Sequence, residues 1–363
     1  MLDEPQRLVR VCAAFKFRTT SKSLFKHLAS EDPLMFASSK KLTALAVGVA
    51  IVAGSSIAPG ISEAQTRDKV TMGLFIASSA MPYFIARERG YFAAENLEVE
   101  GIPLANHPLI VQGLVKGDLD TASNLLSVEG ANINAIRPNT LHYFSINCQN
   151  EKYQVESYVV PPDSKITKLS ELKGKRIFSA PGPGNLFVAK GVLKAVGLDE
   201  KDYSMQEQQM NVHMGAIKGG QFDAGYTLEP VTSMMVSQGL ARRLEVGLIA
   251  KYMLGRNDAC AVLAGGVMSA KFLKERPQVA ERLARAWAKA LNDGNNDPKA
   301  RDLLSAHMNV SPSITATVPL SYYNMVKDLK PAEIADFQNL VDQATAYGLV
   351  KSKIDVRSFL KTF

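Results

Sequence analysis

The feature that most constrains this chain is a repetition. Val70-Thr-Met-Gly-Leu-Phe-Ile76 reads as an apolar strand that runs through Ala77-Ser-Ser-Ala-Met-Pro82 into a helical stretch, Tyr83 to Arg89. Lys175-Arg-Ile-Phe-Ser179 reads as a second strand, running through Ala180-Pro-Gly-Pro-Gly-Asn185 into a helical stretch, Leu186 to Val196. Each helix stops at a glycine, Gly90 and Gly197, where a left-handed cap is expected. Another short strand follows each, Leu97 to Gly101 and Tyr203 to Glu207. Then comes a helix closing on Gly117-Asp-Leu-Asp120 in the first copy and Gly220-Gln-Phe-Asp223 in the second. One Gly-x-x-Asp turn could arise by chance, but the landmarks recur in one order at roughly a hundred residues, a typical lobe size. Strand-helix-strand alternation predicts an α/β fold of two lobes, each a mainly parallel sheet flanked by helices.

The border between the lobes is readable. Val155-Glu-Ser-Tyr-Val-Val160 is an apolar strand that ends at the rigid Pro161-Pro162-Asp163, and Cys260-Ala-Val-Leu-Ala-Gly-Gly266 is the return strand. We therefore expect a first lobe of residues 65–160 plus 262–363, a second lobe of 161–261, and a hinge of two crossing strands. After the return the pattern predicts helices only: Ala280 to Asn292 around Trp287, Arg301 to His307, Tyr322 to Leu329, and Pro331 to Tyr347 with proline in its first turn. Ligands in open α/β sheets bind at the carboxyl ends of strands, so the two strand-to-helix turns should face each other across a cleft.

The N-terminal region reads as a leader. Lys40-Lys41 precede the apolar run Leu42 to Gly54, and Ser62-Glu63-Ala64 offers small residues at the places that precede a secretory cut. Measured from Met35 the signal peptide, 35–64, has ordinary proportions; residues 1–34 read as an additional or spurious extension. A mitochondrial-type presequence or a short buried helix is the competing reading. The apolar run falls well short of the roughly 20 residues that cross a bilayer. No twin arginine precedes it and no cysteine stands at the cut, so a soluble, monomeric product in the periplasm is expected, without a lipid anchor. Part of the formal net charge of +7 lies in this leader, and no basic-aromatic stripe remains to suggest nucleic acid.

Chemistry is sparse. There is no Gly-x-Ser-x-Gly elbow, no P-loop and no spaced dinucleotide fingerprint, and His107, His142, His213 and His307 do not stand at metal-ligand spacing. No catalytic residue, metal or cofactor is expected. Cys148 and Cys260 both lie near the hinge; an oxidising compartment permits a bond between them, and two separate buried thiols are the alternative.

Several segments then resemble the nitrate/sulfonate/taurine family of ABC-transporter solute-binding proteins, whose fold the thiamine-pyrimidine synthases share. These are Pro82-Tyr-Phe-Ile-Ala-Arg-Glu-Arg-Gly-Tyr-Phe92 with Asn96-Leu-Glu-Val-Glu100, Gln112 to Ala122, Leu169 to Ile177, Phe222-Asp-Ala-Gly-Tyr-Thr-Leu-Glu-Pro230, and Phe272 to Gln278. The resemblance spans roughly residues 69–350. It implies a type II periplasmic-binding-protein fold whose lobes close on a small solute and pass it to an ABC permease and its ATPase. A pyrimidine-precursor synthase is the enzymatic rival, although two distant cysteines do not supply the cysteine-rich pattern of those iron-dependent enzymes.

Candidate ligand contacts follow the strands: Ser78, Ser79, Asn106, His107, Ser123, Asn124, Asn147, Gly184, Asn185, Asn211, His213, Thr227 and Glu229. Most are neutral, each could equally be capping a turn, and Glu229 could brace the turn before Pro230. No arginine among them offers a bidentate clamp. The helix N-termini after Ser78-Ser79 and Gly182-Pro-Gly-Asn185 suit a small organic anion, an aromatic carboxylate or sulfonate included. A neutral heterocycle such as a thiamine pyrimidine is the alternative.

Overall fold

A computed structural model describes residues 66–363. The leader 35–64, the extension 1–34 and the cut before Gln65 lie outside the described residues. The strands are β1 (Asp68–Leu74), β2 (Leu97–Pro103), β3 (Thr121–Leu126), β4 (Leu141–Tyr143), β5 (Ser145–Gln149), β6 (Glu156–Val160), β7 (Arg176–Ser179), β8 (Ser204–Glu207), β9 (Ala224–Leu228), β10 (Arg242–Val246), β11 (Ala261–Ser269) and β12 (Tyr322–Met325). They form two sheets, ordered β12-β5-β11-β3-β1-β2 with β4 also paired to β11, and β10-β6-β9-β7-β8. No helix among the described residues is long and apolar enough to cross a membrane.

The repetition in sequence is a repetition in hydrogen bonding. β1 lies parallel to β2 and β3, and β7 lies parallel to β8 and β9. The two aspartates that mark the repeat do one job. Asp120 accepts the Thr71 N–H at 3.0 Å, and Asp223 accepts the Arg176 N–H at 2.8 Å. Each therefore ties the start of the third strand to the central one. The helix-ending glycines adopt the expected left-handed backbone, φ 69° at Gly90 and 85° at Gly197.

Beyond these parallel triplets the pairing turns antiparallel, β11 on β3 in one sheet and β6 on β9 in the other. Both sheets are thus mixed, because a strand that crosses from the other sheet needs no covering helix to reach its place. The proline boundary puts β6 at the end of the first lobe, whereas its strand partners are β9 and β10 of the second sheet. We propose the border at the crossing after β5 instead. Tyr322 to Leu329 is also corrected: it begins as β12, paired antiparallel to β5, and only Val326–Asp328 forms a helical turn. Tyr323 and Met325 alternate inward with half-buried Tyr322 and Asn324, a period of two that the helical reading overlooked.

Most of the remaining core is helix on sheet. The Pro277–Asn296 helix buries Leu283, Ala284, Trp287, Ala290 and Leu291 against Val70, Met72, Phe84 and Ile85. The Trp287 indole N–H donates to Ser145 Oγ at 2.9 Å, so its polar edge is satisfied inside. A disulfide joins Cys148, in β5, to Cys260, just before β11, with Cα atoms 4.8 Å apart. It closes a loop that contains the whole second sheet and both crossings, and loops of that length carry a chain-entropy stabilisation of about 4–5 kcal/mol.

Candidate functional site

In the first lobe, the turn after β1 passes through the helical turn Ser78–Ala80 into the Met81–Glu88 helix, with Pro82 at its start. Neighbouring side chains of the same sheet hold it. Asn124 accepts the Phe75 N–H at 3.1 Å and donates to Phe75 O at 2.8 Å and Ser79 Oγ at 2.9 Å. Ser123 donates to Asn124 at 2.7 Å. Asn147 donates to Ser79 O at 3.2 Å, and the Tyr323 hydroxyl to Ser78 O at 3.0 Å. Ser78, Ser79, Ser123, Asn124 and Asn147 are therefore one buried cluster. Ser78 Oγ alone within it finds no partner.

In the second lobe, the turn after β7 leads through Gly182, at φ 99°, into the Pro183–Ala195 helix. Asn185 donates to Pro181 O at 2.8 Å, while its buried Oδ1 has no partner. The backbone donors here are answered by carboxylates: Gly182 N–H donates to Glu207 at 3.0 Å, and Gly184 N–H to Glu129 Oε1 at 3.1 Å. Glu129 belongs to the first turn of the Ser127–Ile136 helix, in the other lobe. A second direct bond joins the lobes, from Ser78 N–H to Glu229 O at 2.8 Å. Each turn thus reaches the opposite lobe, Ser78 at Glu229 after β9 and Gly184 at Glu129 after β3, and in this closed arrangement the chain's own oxygens take their leading N–H groups.

The histidines repeat as well. His107 packs at a tilt against Phe75 and His213 against Phe178, each pair with ring centroids 4.5 Å apart. Burial pushes His107 down to about 3 and His213 to about 4, so both are neutral at ordinary pH. His213 Nε2 lies 3.1 Å from Gln208 O and Nδ1 lies 2.8 Å from Thr227 Oγ. The carbonyl requires the proton on Nε2, which leaves Nδ1 to accept from Thr227. His107 Nδ1, by contrast, has no partner.

Three sequence candidates do other work. Asn106 caps the His107–Lys116 helix by accepting the Leu109 N–H. Asn211 is exposed on the Met210–Val212 turn. The Glu229 carboxylate accepts the Ser233 N–H at 3.0 Å and pairs with Arg243 at 2.7 Å, so it braces the helix after the cis Glu229-Pro230 bond. Burial raises its carboxyl, with Arg243 opposing. Sequence reasoning missed Glu129, Glu207 and Arg243. The available signal for Glu129 was a carboxylate only three residues beyond a fully buried strand, set among Leu125, Leu126 and Val128.

A surface pocket of about 550 Å³ lies elsewhere, between the Pro277–Asn296 helix and the C-terminal Lys361-Thr362-Phe363. None of its lining residues belongs to either turn. Among the described residues, Cys148, Cys260 and Glu333 stand close enough to hold a metal, but the disulfide already uses both sulfurs.

Against known proteins, a family model described as NMT1/THI5 like matches residues 77–301. Among solved structures, the alkanesulfonate-binding protein SsuA from Xanthomonas axonopodis pv. citri bound to MOPS aligns with a TM-score of 0.66 at 16% identity, covering 82% of this chain and 99% of its own. The periplasmic aliphatic sulphonate binding protein SsuA from Escherichia coli gives 0.63 at 15% identity, with 80% and 97% covered. The periplasmic nitrate-binding protein NrtA from Synechocystis PCC 6803 gives 0.65 at 15% identity, with 80% and 84% covered. All three are binding proteins, and the architecture they share with this chain is the periplasmic binding protein fold. No curated protein sequence matches it.

Proposed function

Because the chain belongs to the NMT1/THI5-like family, we propose that it is the solute-binding component of an ABC importer, exported to the periplasm, which captures a small organic molecule between its lobes and delivers it to the permease and its ATPase. The observation that carries this reading is a pair of direct bonds, one from each repeated turn to the opposite lobe: Ser78 N–H to Glu229 O and Gly184 N–H to Glu129. The structural neighbours that bind sulfonate or nitrate support the same role.

For the ligand, the helix N-termini support a small organic anion, whereas Glu129 on Gly184 favours the second reading, a neutral heterocycle of the thiamine-pyrimidine kind. The Ser78–Asn124–Asn147 cluster, Asn185 and His107 are the proposed contacts in either case.

A thermal-shift screen of the protein beginning at Gln65 tests the role. Ligand at a hundred times its Kd adds about 2.7 kcal/mol of stability and raises the midpoint. Recovered ligand should be chemically unchanged, with or without added iron. Iron-dependent conversion, abolished by Cys148→Ser or Cys260→Ser, would favour the synthase rival instead.

A further inference from the structure

The closed cleft holds a buried carboxylate with no cation beside it. Glu129 is 7% exposed and receives a single hydrogen bond, from Gly184 N–H. Among the described residues no lysine, arginine or histidine forms an ion pair with it. An ionised carboxylate can accept about four hydrogen bonds, so most of its capacity is unused in a place where burial makes that expensive. The surroundings share this deficit. Asn185, the next residue along the helix from Gly184, keeps a buried Oδ1 that lacks a donor. Glu207 sets a second carboxylate on the same turn, at Gly182 N–H.

The contact is compact. A methyl group placed on Gly182 would lie 3.6 Å from Pro108 and 4.0 Å from Glu129 Oε1, and one on Gly184 would lie 3.2 Å from that same oxygen. His107, with its unpartnered Nδ1, adjoins Pro108. Two carboxylates thus meet the first N–H groups of a helix N-terminus that would otherwise attract an anion, and an unpartnered amide oxygen stands on the same first turn. The backbone donor there is consumed by the chain itself, and the surplus is in acceptors. We infer that Glu129 is a specificity-determining residue, and that the ligand presents an amine or amidine group whose N–H donors are accepted by the Glu129 carboxylate and Asn185 Oδ1.

This inference rests on the solute-binding reading and deepens it. The two separate in one experiment, which compares probes that share a ring and differ in the polar group: benzamidine and benzylamine against benzoate and benzenesulfonate. Binding to the protein from Gln65 onward is followed by calorimetry and by the melting midpoint at millimolar probe. The expected result is binding by benzamidine or benzylamine and none by the two anions. Glu129→Gln keeps an oxygen for Gly184 N–H but removes the charge; it should weaken the cationic probes at least tenfold while leaving the unliganded midpoint nearly unchanged. Binding by the anions alone would overturn the inference and leave solute capture standing. Cationic binding that Glu129→Gln does not weaken would remove Glu129 from recognition. Silence from both pairs of probes would count against both readings.

Discussion

The two lobes share a plan and differ in how they complete their turns. In the first, Asn124, Asn147 and Tyr323 reach from the same sheet and hold the backbone of the turn before anything approaches it. In the second, Gly182-Pro-Gly184 offers backbone donors, and one of these finds its acceptor only on the opposite lobe. The histidines show the reverse balance: His213 is satisfied within its lobe by Thr227 and Gln208, while His107 keeps an unpartnered Nδ1. Duplicated backbone topology therefore does not duplicate polar completeness. Both turns send one backbone N–H to the other lobe, Ser78 to Glu229 O and Gly184 to Glu129, but only the first is also held by several side chains of its own sheet.

The largest effect expected from this difference is on stability. Asn124→Ala removes the side chain that links Phe75, Ser79 and Ser123 and leaves buried donors and acceptors unpaired, at about 3 kcal/mol or more. Asn185→Ala in the second lobe loses one bond, to Pro181 O, and should cost about 1 kcal/mol or less. Urea unfolding of both variants measures the contrast. Equal losses would mean that the two turns are supported alike.

A middle-sized effect is expected on closure. A side chain at Gly184 would meet Leu126 Cδ1 at 2.8 Å and Val128 Cγ2 at 3.1 Å, both on the opposite lobe. The backbone of Gly184 is not left-handed, unlike that of Gly182, so only the facing lobe resists a substitution. Gly184→Val should weaken ligand binding about a hundredfold, or about 2.7 kcal/mol, with little change in the unliganded melting point. X-ray scattering should show the variant more open. A variant that closes and binds normally would show that the lobes never approach this closely.

How much of this could be read in the chain depends on how local each interaction is. The Asp120 and Asp223 landmarks, the helix-ending glycines and the Ser78–Asn124 cluster were legible because their geometry is set by strand order and turn chemistry. The sheet that β6 joins was not legible, because a proline break marks the end of a strand without saying which sheet the strand joins. Tyr322 to Met325 was read as helix because so short an aromatic run carries either period. Cys148 and Cys260 were left open because their pairing depends on where β5 and β11 lie. Glu129 was missed for a stronger reason: its apolar neighbours signal burial, but its partner, Gly184, is in the other lobe, and nothing local names that contact.

The smallest effect is on pH dependence, and it separates closure from stability. Burial in the closed cleft pushes the Glu129 carboxyl up to about 6; Gly184 N–H opposes this and Glu207 adds to it. When the lobes part, the group is solvated and should return towards its ordinary value near 4.5. A carboxyl whose pKa rises on closing binds its proton more tightly in the closed form. Closing is therefore favoured at acid pH and progressively weakened as pH rises from about 4.5 through about 6. His107, held down to about 3, stays neutral over that range, and burial holds the Tyr143 hydroxyl, which senses the Glu129 charge, protonated well above it. Glu229 is raised by burial too, but its hydrogen bonds to Ser233 and Arg243 lie within the second lobe, so its titration should act on unfolding rather than on the distance between lobes. A pair of fluorophores across the cleft should report a loss of about 1.5 kcal/mol in closure between pH 4.5 and 7. Glu129→Gln should flatten that profile while leaving the acid dependence of unfolding in place. An unchanged slope in the variant would transfer the effect to another group and remove Glu129 from the contact that distinguishes the second lobe from the first.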